Sequence, residues 1–207
     1  TFPCKDVPEL LARFMKDRKS HAGGEAPRNL MPMSEVLTRM VKNIDDRYYI
    51  GDQWQYYCPE NANWMSYGWI GGLMNTYPML ALGDAEHLQK VKNTFDFALP
   101  RAKGKSGYYY DVLGADGKPF SRDAAANHPG VGLTRKNGDI LYWMVKQFML
   151  LKEQEKASAI DPEWETNVRL LADAFVNTWK KHGTWGNYLD VESGDIAVYN
   201  TTSGAMA

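Results

Sequence analysis

The sequence has none of the features that mark a nucleic-acid-binding or membrane-spanning protein. Its 24 basic and 25 acidic residues give a net charge of −1 without a basic stripe, so charge points to neither nucleic acid nor an anionic membrane. The longest apolar run is far shorter than the ~18 residues of a membrane helix, and no charged start precedes an apolar leader segment. We therefore expect a soluble protein that is already processed if it is exported.

Nucleotide-binding, zinc-protease and serine-hydrolase motifs are also absent: the sequence has no GxGxxG, P-loop, HExxH, GxSxG or EF-hand loop. Cys4 and Cys58 are the only cysteines, and their spacing forms neither a CxxC motif nor a metal-ligand pattern. One disulfide at most can form. We predict no cofactor and no metal site.

Aromatic residues are plentiful, with 7 Trp, 12 Tyr and 7 Phe, and many lie in segments without helical periodicity. Two such segments are residues 45–63, which read DDRYYIGDQWQYYCPENAN, and residues 107–139. Rings in polar loops are typical of surfaces that stack on a ligand. Long irregular connections are uncommon in compact domains and are often functional, which makes residues 107–139 the first candidate for a site.

Apolar residues at a spacing of 3.6 predict six helices, and the breaks between them fall at capping residues. Two further stretches, residues 108–120 and 188–199, alternate around Gly-containing turns and predict β-hairpins. The predicted N-caps or starts of the six helices are, in order, Asp6, Ser34, Trp64, Asp84, Asp139 and Asp161.

The connections between these helices alternate in length. Helices three and four, and five and six, are joined by short turns, whereas long segments rich in rings and acids follow helices two, four and six. In a stack of antiparallel helical hairpins, every other connection emerges at the same end. We therefore expect the three long segments to gather on one face, and we expect function there.

Three segments carry a resemblance to a known family: SGYYYDV, LTRKNGDILYWMVKQFMLL and FVNTWKKHGTWGNYLDVESGDIAVYNTTSGAMA. From about Trp64 onward the chain resembles the six-hairpin (α/α)6-toroid carbohydrate-active enzymes, particularly bacterial members that degrade polysaccharides. The resemblance implies an all-α fold of antiparallel helical hairpins, with short β-hairpins in the long loops, as a single domain over residues 1–207. It also implies secretion or a periplasmic location, as a polymeric substrate does.

The family has six hairpins, and the sequence supplies about three. The remaining half of the toroid is expected from a longer chain or from self-association, and the first reading is favoured. The families with this fold include glycoside hydrolases, unsaturated-uronide hydrolases and polysaccharide lyases, and fold alone does not choose among them.

Glycoside hydrolysis ordinarily needs two carboxyl groups, one of them with a raised pKa. Asp111 and Asp123 are the first candidates, because neighbouring tyrosines can exclude water from one while nearby basic residues keep the other ionised. His128 is the third, as a general acid or base. The structural alternative is that Asp111 caps a turn and Asp123 is solvated.

Sugar binding is expected at exposed rings, because the apolar C–H face of a sugar stacks on an aromatic plane. Arg135 is a candidate fork for a uronate carboxylate, with a structural salt bridge as its alternative. Trp64 and Tyr67 begin a helical stretch and are alternatively core residues. The predicted binding residues are Trp54, Tyr56, Tyr57, Trp64, Tyr67, Tyr109, Tyr110 and Arg135.

The sequence therefore favours a carbohydrate-active enzyme, or part of one, that cleaves glycosidic bonds by carboxylate acid/base chemistry. The first alternative is a non-catalytic glycan-binding helical module. The second is a polysaccharide lyase that acts on a uronate-containing glycan with a Tyr or His as base.

Overall fold

The structure is a computed structural model that describes residues 3–21, 31–58, 64–68, 72–120 and 130–199. The chain divides into two compact units, Thr1–Arg39 and Met40–Ala207. The single domain over residues 1–207 stays a prediction. The first unit contains helix α1 (Val7–His21) and the start of α2 (Met33–Tyr48), and the remaining elements lie in the second.

The start of α1 confirms the predicted cap, and the start of α2 corrects one. Asp6 Oδ1 accepts the backbone N–H of Glu9 at 2.8 Å, as an N-cap does. Ser34 was predicted to cap α2, which is wrong: α2 begins at Met33, because the carbonyl of Pro32 already accepts the first helical N–H groups. The helix also runs through Asp45 and Asp46, which the sequence placed in a loop.

Helices α3 (Gly72–Ala81) and α4 (Ala85–Ala98) form a hairpin with the predicted tight turn. Gly83 has a positive φ of 77°, a conformation that glycine adopts readily. Asp84 then caps α4, since its Oδ1 accepts the N–H of His87 at 2.9 Å. Helix three was predicted to begin at Trp64, which is wrong, because residues 64–66 form a strand and the helix begins at Gly72.

Helices α5 (Thr134–Glu153) and α6 (Pro162–His182) form the next hairpin, with a short 3₁₀ helix (Ala157–Ala159) between them. Asp161 caps α6 as predicted, and Gly183 ends it in the left-handed conformation. Asp139 was predicted to cap α5, which is wrong: it lies inside the helix and is buried. The helix begins at Thr134 because the chain enters it directly from a strand.

Eight short strands form three antiparallel sheets among the described residues. The predicted hairpins are confirmed in β4 with β5 and in β7 with β8. The sheets are β1 (Tyr49–Ile50) with β2 (Tyr56–Tyr57); β3 (Trp64–Ser66), β4 (Val112–Gly114) and β5 (Pro119–Phe120); and β6 (Val131–Leu133), β7 (Tyr188–Asp190) and β8 (Ile196–Val198).

These sheets join the three long connections to one another. Strand β3 comes from the connection before α3 and pairs with β4, which comes from the connection before α5. Strand β6 precedes α5 and pairs with β7, which follows α6. The expectation that the long segments gather on one face is thus confirmed within the unit Met40–Ala207.

The core of this unit lies between the helices and beneath the sheets. Helix α3 packs against α4 and α5, and α5 packs against α6. The side chain of Gln147 on α5 donates to the carbonyl of Leu73 on α3 at 3.0 Å, which fixes the register of the two helices. The described chain is mostly helical, but its three sheets make the predicted all-α class too narrow.

Candidate functional site

Trp54 lies in the turn between β1 and β2, at the gathered ends of the long connections. The turn requires glycine at position 51, where φ is 114° and a Cβ atom would lie 1.8 Å from the carbonyl oxygen of Trp54. The indole is partly buried, and the residues on either side of it, Gln53 and Gln55, are exposed. The turn therefore presents one ring at the protein surface.

Two cavities meet at this indole, and we call them together the Trp54 surface. One has a volume of about 400 Å³ and the other of about 570 Å³, and Asp52, Gln53 and Trp54 line both. The smaller is completed by Gln55, Asn93, Asp96 and Phe97, and the larger by Ile50, Gly51, Tyr56, Ala115 and Asp116. An aromatic plane edged with carboxylates and amides can stack on one face of a ligand while it hydrogen-bonds the ligand's rim.

Arg101 holds the indole in place from the end of α4. Its guanidinium carbon lies 3.9 Å from the centroid of the Trp54 ring, which is a close cation–π contact. The same group donates to the backbone carbonyls of Asp96 and Phe97 at 2.7 and 2.9 Å. The guanidinium therefore ties the indole to the C-terminus of α4.

The hydroxyl of Tyr56 is a buried polar group with no hydrogen-bond partner among the described residues. The side chain is 1 % exposed, its ring stacks on Phe97 at 4.3 Å, and the residue lines the larger cavity. Burial raises the pKa of Tyr56 to about 12, so the hydroxyl stays protonated at neutral pH. Because the side chain is buried, the ring of Tyr56 cannot stack on a sugar, and its hydroxyl is a buried polar group beside the larger cavity.

Tyr57, the next residue, belongs to a charged network instead. Its hydroxyl donates to Asp45 Oδ1 at 2.8 Å, while Asp45 Oδ2 lies 3.0 Å from His87 Nε2 and 2.9 Å from Lys90 Nζ. Burial acts to raise the pKa of Asp45, but the hydrogen bonds from Lys90, Tyr57 and His87 outweigh it and hold that pKa below its usual value. Tyr57 is fully buried, so the structure places it in the core and away from the surface that a sugar could reach.

Most of the other predicted binding rings also lie in the core. The hydroxyls of Tyr67 and Tyr109 donate to the carbonyls of Ala98 and Leu99 at 2.6 and 3.1 Å, and both side chains are buried. Trp64 and Tyr110 are partly buried, the former in β3. Of the predicted rings, Trp54 is the one that lines both cavities.

Asp111 lies at a second point on this face, where β4 begins. Its carboxyl is fully buried; Oδ1 accepts the N–H of Leu133 at 2.8 Å, and Oδ2 lies 3.9 Å from Lys136 Nζ. The amide of Asn137 bonds both the N–H and the carbonyl of Tyr109. These contacts, which we call the Asp111 cluster, lay residues 109–111 across the start of α5.

The Asp111 cluster gives Asp111 a clear structural role, because its carboxylate lies at the N-terminus of α5, where the helix dipole favours negative charge. Arg135, the predicted carboxylate fork, is partly buried in the first turn of the same helix. The predicted catalytic residues Asp123 and His128 lie outside the described residues. Their roles, and a catalytic role for Asp111, stay predictions.

Sequence reasoning missed the part of the Trp54 surface that α4 supplies. Asn93, Asp96 and Phe97 were not among the predicted binding residues, because α4 was read only as a packing helix. Arg101, which follows that helix, was not predicted to support the surface either. The available sequence signal was Phe97, an aromatic residue that lies off the predicted apolar stripe of that helix. In the structure its side chain is 1 % exposed. Asp116 was assigned to turn chemistry, and its Oδ1 does accept the N–H of Lys118 at 3.0 Å in addition to lining the larger cavity.

Among the described residues, no helix is both long and apolar enough to cross a membrane. The described residues also contain no group of three or more His, Cys, Asp or Glu side chains arranged to hold a metal ion.

Comparison with known proteins yields a similarity of fold. No protein-family model matches the chain, and no curated protein matches it in sequence. A solved structure with a similar fold is the cellobiose 2-epimerase of Spirochaeta thermophila, with a TM-score of 0.51 and 12 % identity over 80 % of this chain and 42 % of that one. The chain thus spans less than half the length of that structure.

At this identity the likeness concerns the fold alone. The chain and the epimerase thus share a similar arrangement of elements over the matched residues.

Proposed function

We propose that the chain is part of a carbohydrate-active enzyme and that the Trp54 surface binds its oligosaccharide. The observation that carries the proposal is the position of Trp54, a partly buried indole at the meeting of two cavities edged by carboxylate and amide side chains. A sugar ring has an apolar C–H face and a rim of hydroxyls. The indole suits the first, and Asp52, Gln53 and Asn93 suit the second.

The unpartnered hydroxyl of Tyr56 supports the same proposal. A buried hydroxyl without a hydrogen bond costs about 1–3 kcal/mol, so proteins rarely keep one without a use. A sugar hydroxyl in the larger cavity could accept from it or donate to it. The structural neighbour acts on cellobiose by its name, which agrees with a sugar ligand for this fold.

For the reaction, we propose cleavage of a glycosidic bond by acid/base chemistry. Such a mechanism needs two carboxyl groups about 5–5.5 Å apart for retention or about 6.5–9.5 Å apart for inversion. Asp111 and Asp123 are proposed as this pair, with His128 as a further acid or base. Action on a polymer makes secretion or a periplasmic location part of the proposal, and the rest of the toroid would come from a longer chain or a second copy.

The lyase alternative is less well supported by the described residues. A tyrosine base must lose its proton, but burial raises the pKa values of Tyr56, Tyr67 and Tyr109 above their usual range. These phenols therefore remain neutral at physiological pH. A non-catalytic binding module is the second candidate, because the full burial of Asp111 favours a structural role for its carboxyl.

Sugar binding is tested by titrating neutral oligosaccharides of several linkages into the protein and following heat or tryptophan fluorescence. Trp54→Ala should weaken binding by about tenfold or more, since loss of one stacked ring costs about 1–3 kcal/mol. Trp179→Ala is the matched control, because Trp179 is a half-exposed tryptophan on α6 that lines neither cavity. Equal effects of the two substitutions would refute the assignment.

Catalysis is tested separately by the release of reducing ends from a polysaccharide panel. Asp111→Asn and Asp123→Asn should each abolish release while the far-UV circular dichroism stays unchanged. Full activity in both variants would rule out this pair. Binding at Trp54 without turnover on any substrate would favour the binding module, and an ultraviolet-absorbing unsaturated product would favour the lyase.

A further inference from the structure

We propose that the Trp54 surface takes uncharged sugar units and disfavours uronates. The inference rests on the proposed function and narrows it to a substrate class. Its basis is the charge of the cavity walls: among the described residues, Asp52, Asp96 and Asp116 are the acids that line the two cavities, and this described lining contains no lysine or arginine.

Among the described residues, two cations lie next to the lining, Arg101 and Lys118, and each contacts a protein group. Arg101 stacks on Trp54 and donates to two carbonyls at the end of α4, so its guanidinium is held against the indole and outside the described lining. Lys118 extends into solvent with 85 % of its side chain exposed, and its ammonium lies 3.7 Å from Asp116. A uronate in either cavity would therefore meet carboxylates first.

The three lining acids differ in their contacts and exposure, and these differences indicate which of them can hydrogen-bond a ligand. Asp96 Oδ1 accepts the indole N–H of Trp164 at 2.9 Å, so this carboxylate is fixed by the core. Asp52 is exposed and lines both cavities. Asp116 has 61 % of its side chain exposed at the mouth of the larger one. Asp52 and Asp116 can thus accept hydrogen bonds from sugar hydroxyls, including the one at C6, whereas the ionised C6 carboxylate of a uronate has no proton to donate to them.

The buried hydroxyl of Tyr56 adds an uncharged contact at the same place. This hydroxyl is buried and has no partner among the described residues, and Tyr56 lines a cavity whose described charged walls are negative. A sugar hydroxyl is uncharged, so it can hydrogen-bond the Tyr56 hydroxyl without electrostatic repulsion from the acids. An ionised carboxylate beside Asp52 and Asp116 would gain the same bond but lose through repulsion and desolvation.

Arg135, the predicted uronate fork, does not alter this conclusion. It belongs to the first turn of α5 and lines neither cavity. A uronate bound by Arg135 would therefore occupy a different place from a sugar stacked on Trp54.

The test compares neutral oligosaccharides with the same oligosaccharides oxidised at C6 to uronates, by titration calorimetry at low and high salt. At low salt the oxidised form should bind about tenfold more weakly, the scale expected for repulsion by partly exposed charges. Salt should narrow the difference, because it screens these charges. Asp52→Asn and Asp116→Asn should also reduce the difference in affinity between the two ligands, because each removes a charge and keeps the size of the side chain. The control Asp173→Asn should not reduce it, since Asp173 is an exposed acid on α6 outside both cavities.

Each outcome has a distinct meaning. Equal or tighter binding of the oxidised form would overturn the neutral-sugar inference and leave the sugar-binding proposal standing. A difference that neither salt nor the two substitutions change would also overturn the charge argument. No binding of either form would overturn the proposed function and, with it, this inference.

Discussion

Replacing Tyr56 by phenylalanine should separate ligand binding from stability, because it removes one oxygen atom and leaves the ring in place. The hydroxyl has no partner among the described residues, and the ring keeps its stacked contact with Phe97 at 4.3 Å. Since an unmade buried hydrogen bond costs about 1–3 kcal/mol, its removal should not destabilise the protein. We expect the free energy of unfolding to stay unchanged or rise by about 1 kcal/mol.

Tyr57→Phe is the matched control, because the same atom is lost from the adjacent residue of β2. The hydroxyl of Tyr57 donates to the carboxylate of Asp45 at 2.8 Å, and hydrogen bonds to charged groups contribute about 1.5–3 kcal/mol. The control should therefore destabilise by that amount and lower Tm by roughly 3–12 °C for a protein of this size. Urea unfolding followed by circular dichroism measures both variants.

In a binding assay, we expect Tyr56→Phe to lower the affinity and Tyr57→Phe to leave it unchanged. Tyr56→Phe should weaken binding of a neutral oligosaccharide by roughly fivefold, which corresponds to about 1 kcal/mol for one hydrogen bond between uncharged groups. Tyr57→Phe should leave it unchanged, since Tyr57 lines neither cavity. If Tyr56→Phe destabilised the protein as much as Tyr57→Phe, the Tyr56 hydroxyl would have a structural partner and the reasoning would fail.

Two further variants test the supports of this surface. Arg101→Lys should weaken oligosaccharide binding several-fold and shift the fluorescence of Trp54. The reason is that an ammonium cannot stack on the indole and bond two carbonyls as the planar guanidinium does. Unchanged binding and emission would contradict this role of Arg101. Asp45 should contribute stability that is complete above its reference pKa of 3.8 and is lost as pH falls through its lowered folded-state pKa. Asp45→Asn should therefore lower stability at neutral pH and flatten the acid limb of an unfolding-versus-pH curve, and an unchanged acid limb would show that other carboxyls dominate.

Capping residues could be predicted from the sequence because their interactions are local. Asp84 and Asp161 bond an N–H two or three residues away, and Gly83 and Gly183 adopt a left-handed conformation at the ends of α3 and α6. The alternation of short and long connections is equally local, and it correctly placed the long segments on one face. Such signals survive folding because no distant residue has to supply them.

The starts of α3 and α5 could not be predicted in the same way. Trp64 and Met65 read as helical, but they pair with Gly114 and Leu113, about fifty residues away along the chain. Strand β6 likewise pairs with β7 beyond α6, which moves the start of α5 forward from Asp139 to Thr134. Pairing with a distant strand overrides local periodicity, and a single sequence does not reveal it.

The candidate site was predictable in position but only partly in its members. Trp54 placed a predicted binding residue in the turn after β1, and two cavities lie beside that turn. The adjacent tyrosines carried the same signal, yet β2 packs against α3 and α4, and both of its side chains are buried. Arg101 comes from the end of α4 and reaches Trp54 only through the fold.

Strand β4 connects the Asp111 cluster with the Trp54 surface, and this connection affects how a mutation of Asp111 must be interpreted. The strand leads from Asp111 to the turn at Asp116, a span of at most about 17 Å between the two Cα atoms. Asp111 anchors the near end to Leu133, and Asp116 lines the larger cavity at the far end. A loss of activity in Asp111→Asn could therefore arise from chemistry or from displacement of the Trp54 surface.

Stability and sugar binding distinguish these two causes. In Asp111→Asn, the side-chain carbonyl can still accept the N–H of Leu133. The substitution removes the negative charge 3.9 Å from Lys136 Nζ, and breaking a buried ion pair costs up to about 3–5 kcal/mol. A structural Asp111 should thus lose stability and oligosaccharide affinity together, and pairing Asp111→Asn with Lys136→Met in a double-mutant cycle should give a coupling of about 0.5–3 kcal/mol. A catalytic Asp111 should lose turnover while affinity at Trp54 is retained, because the ligand-binding residues would remain where β4 holds them.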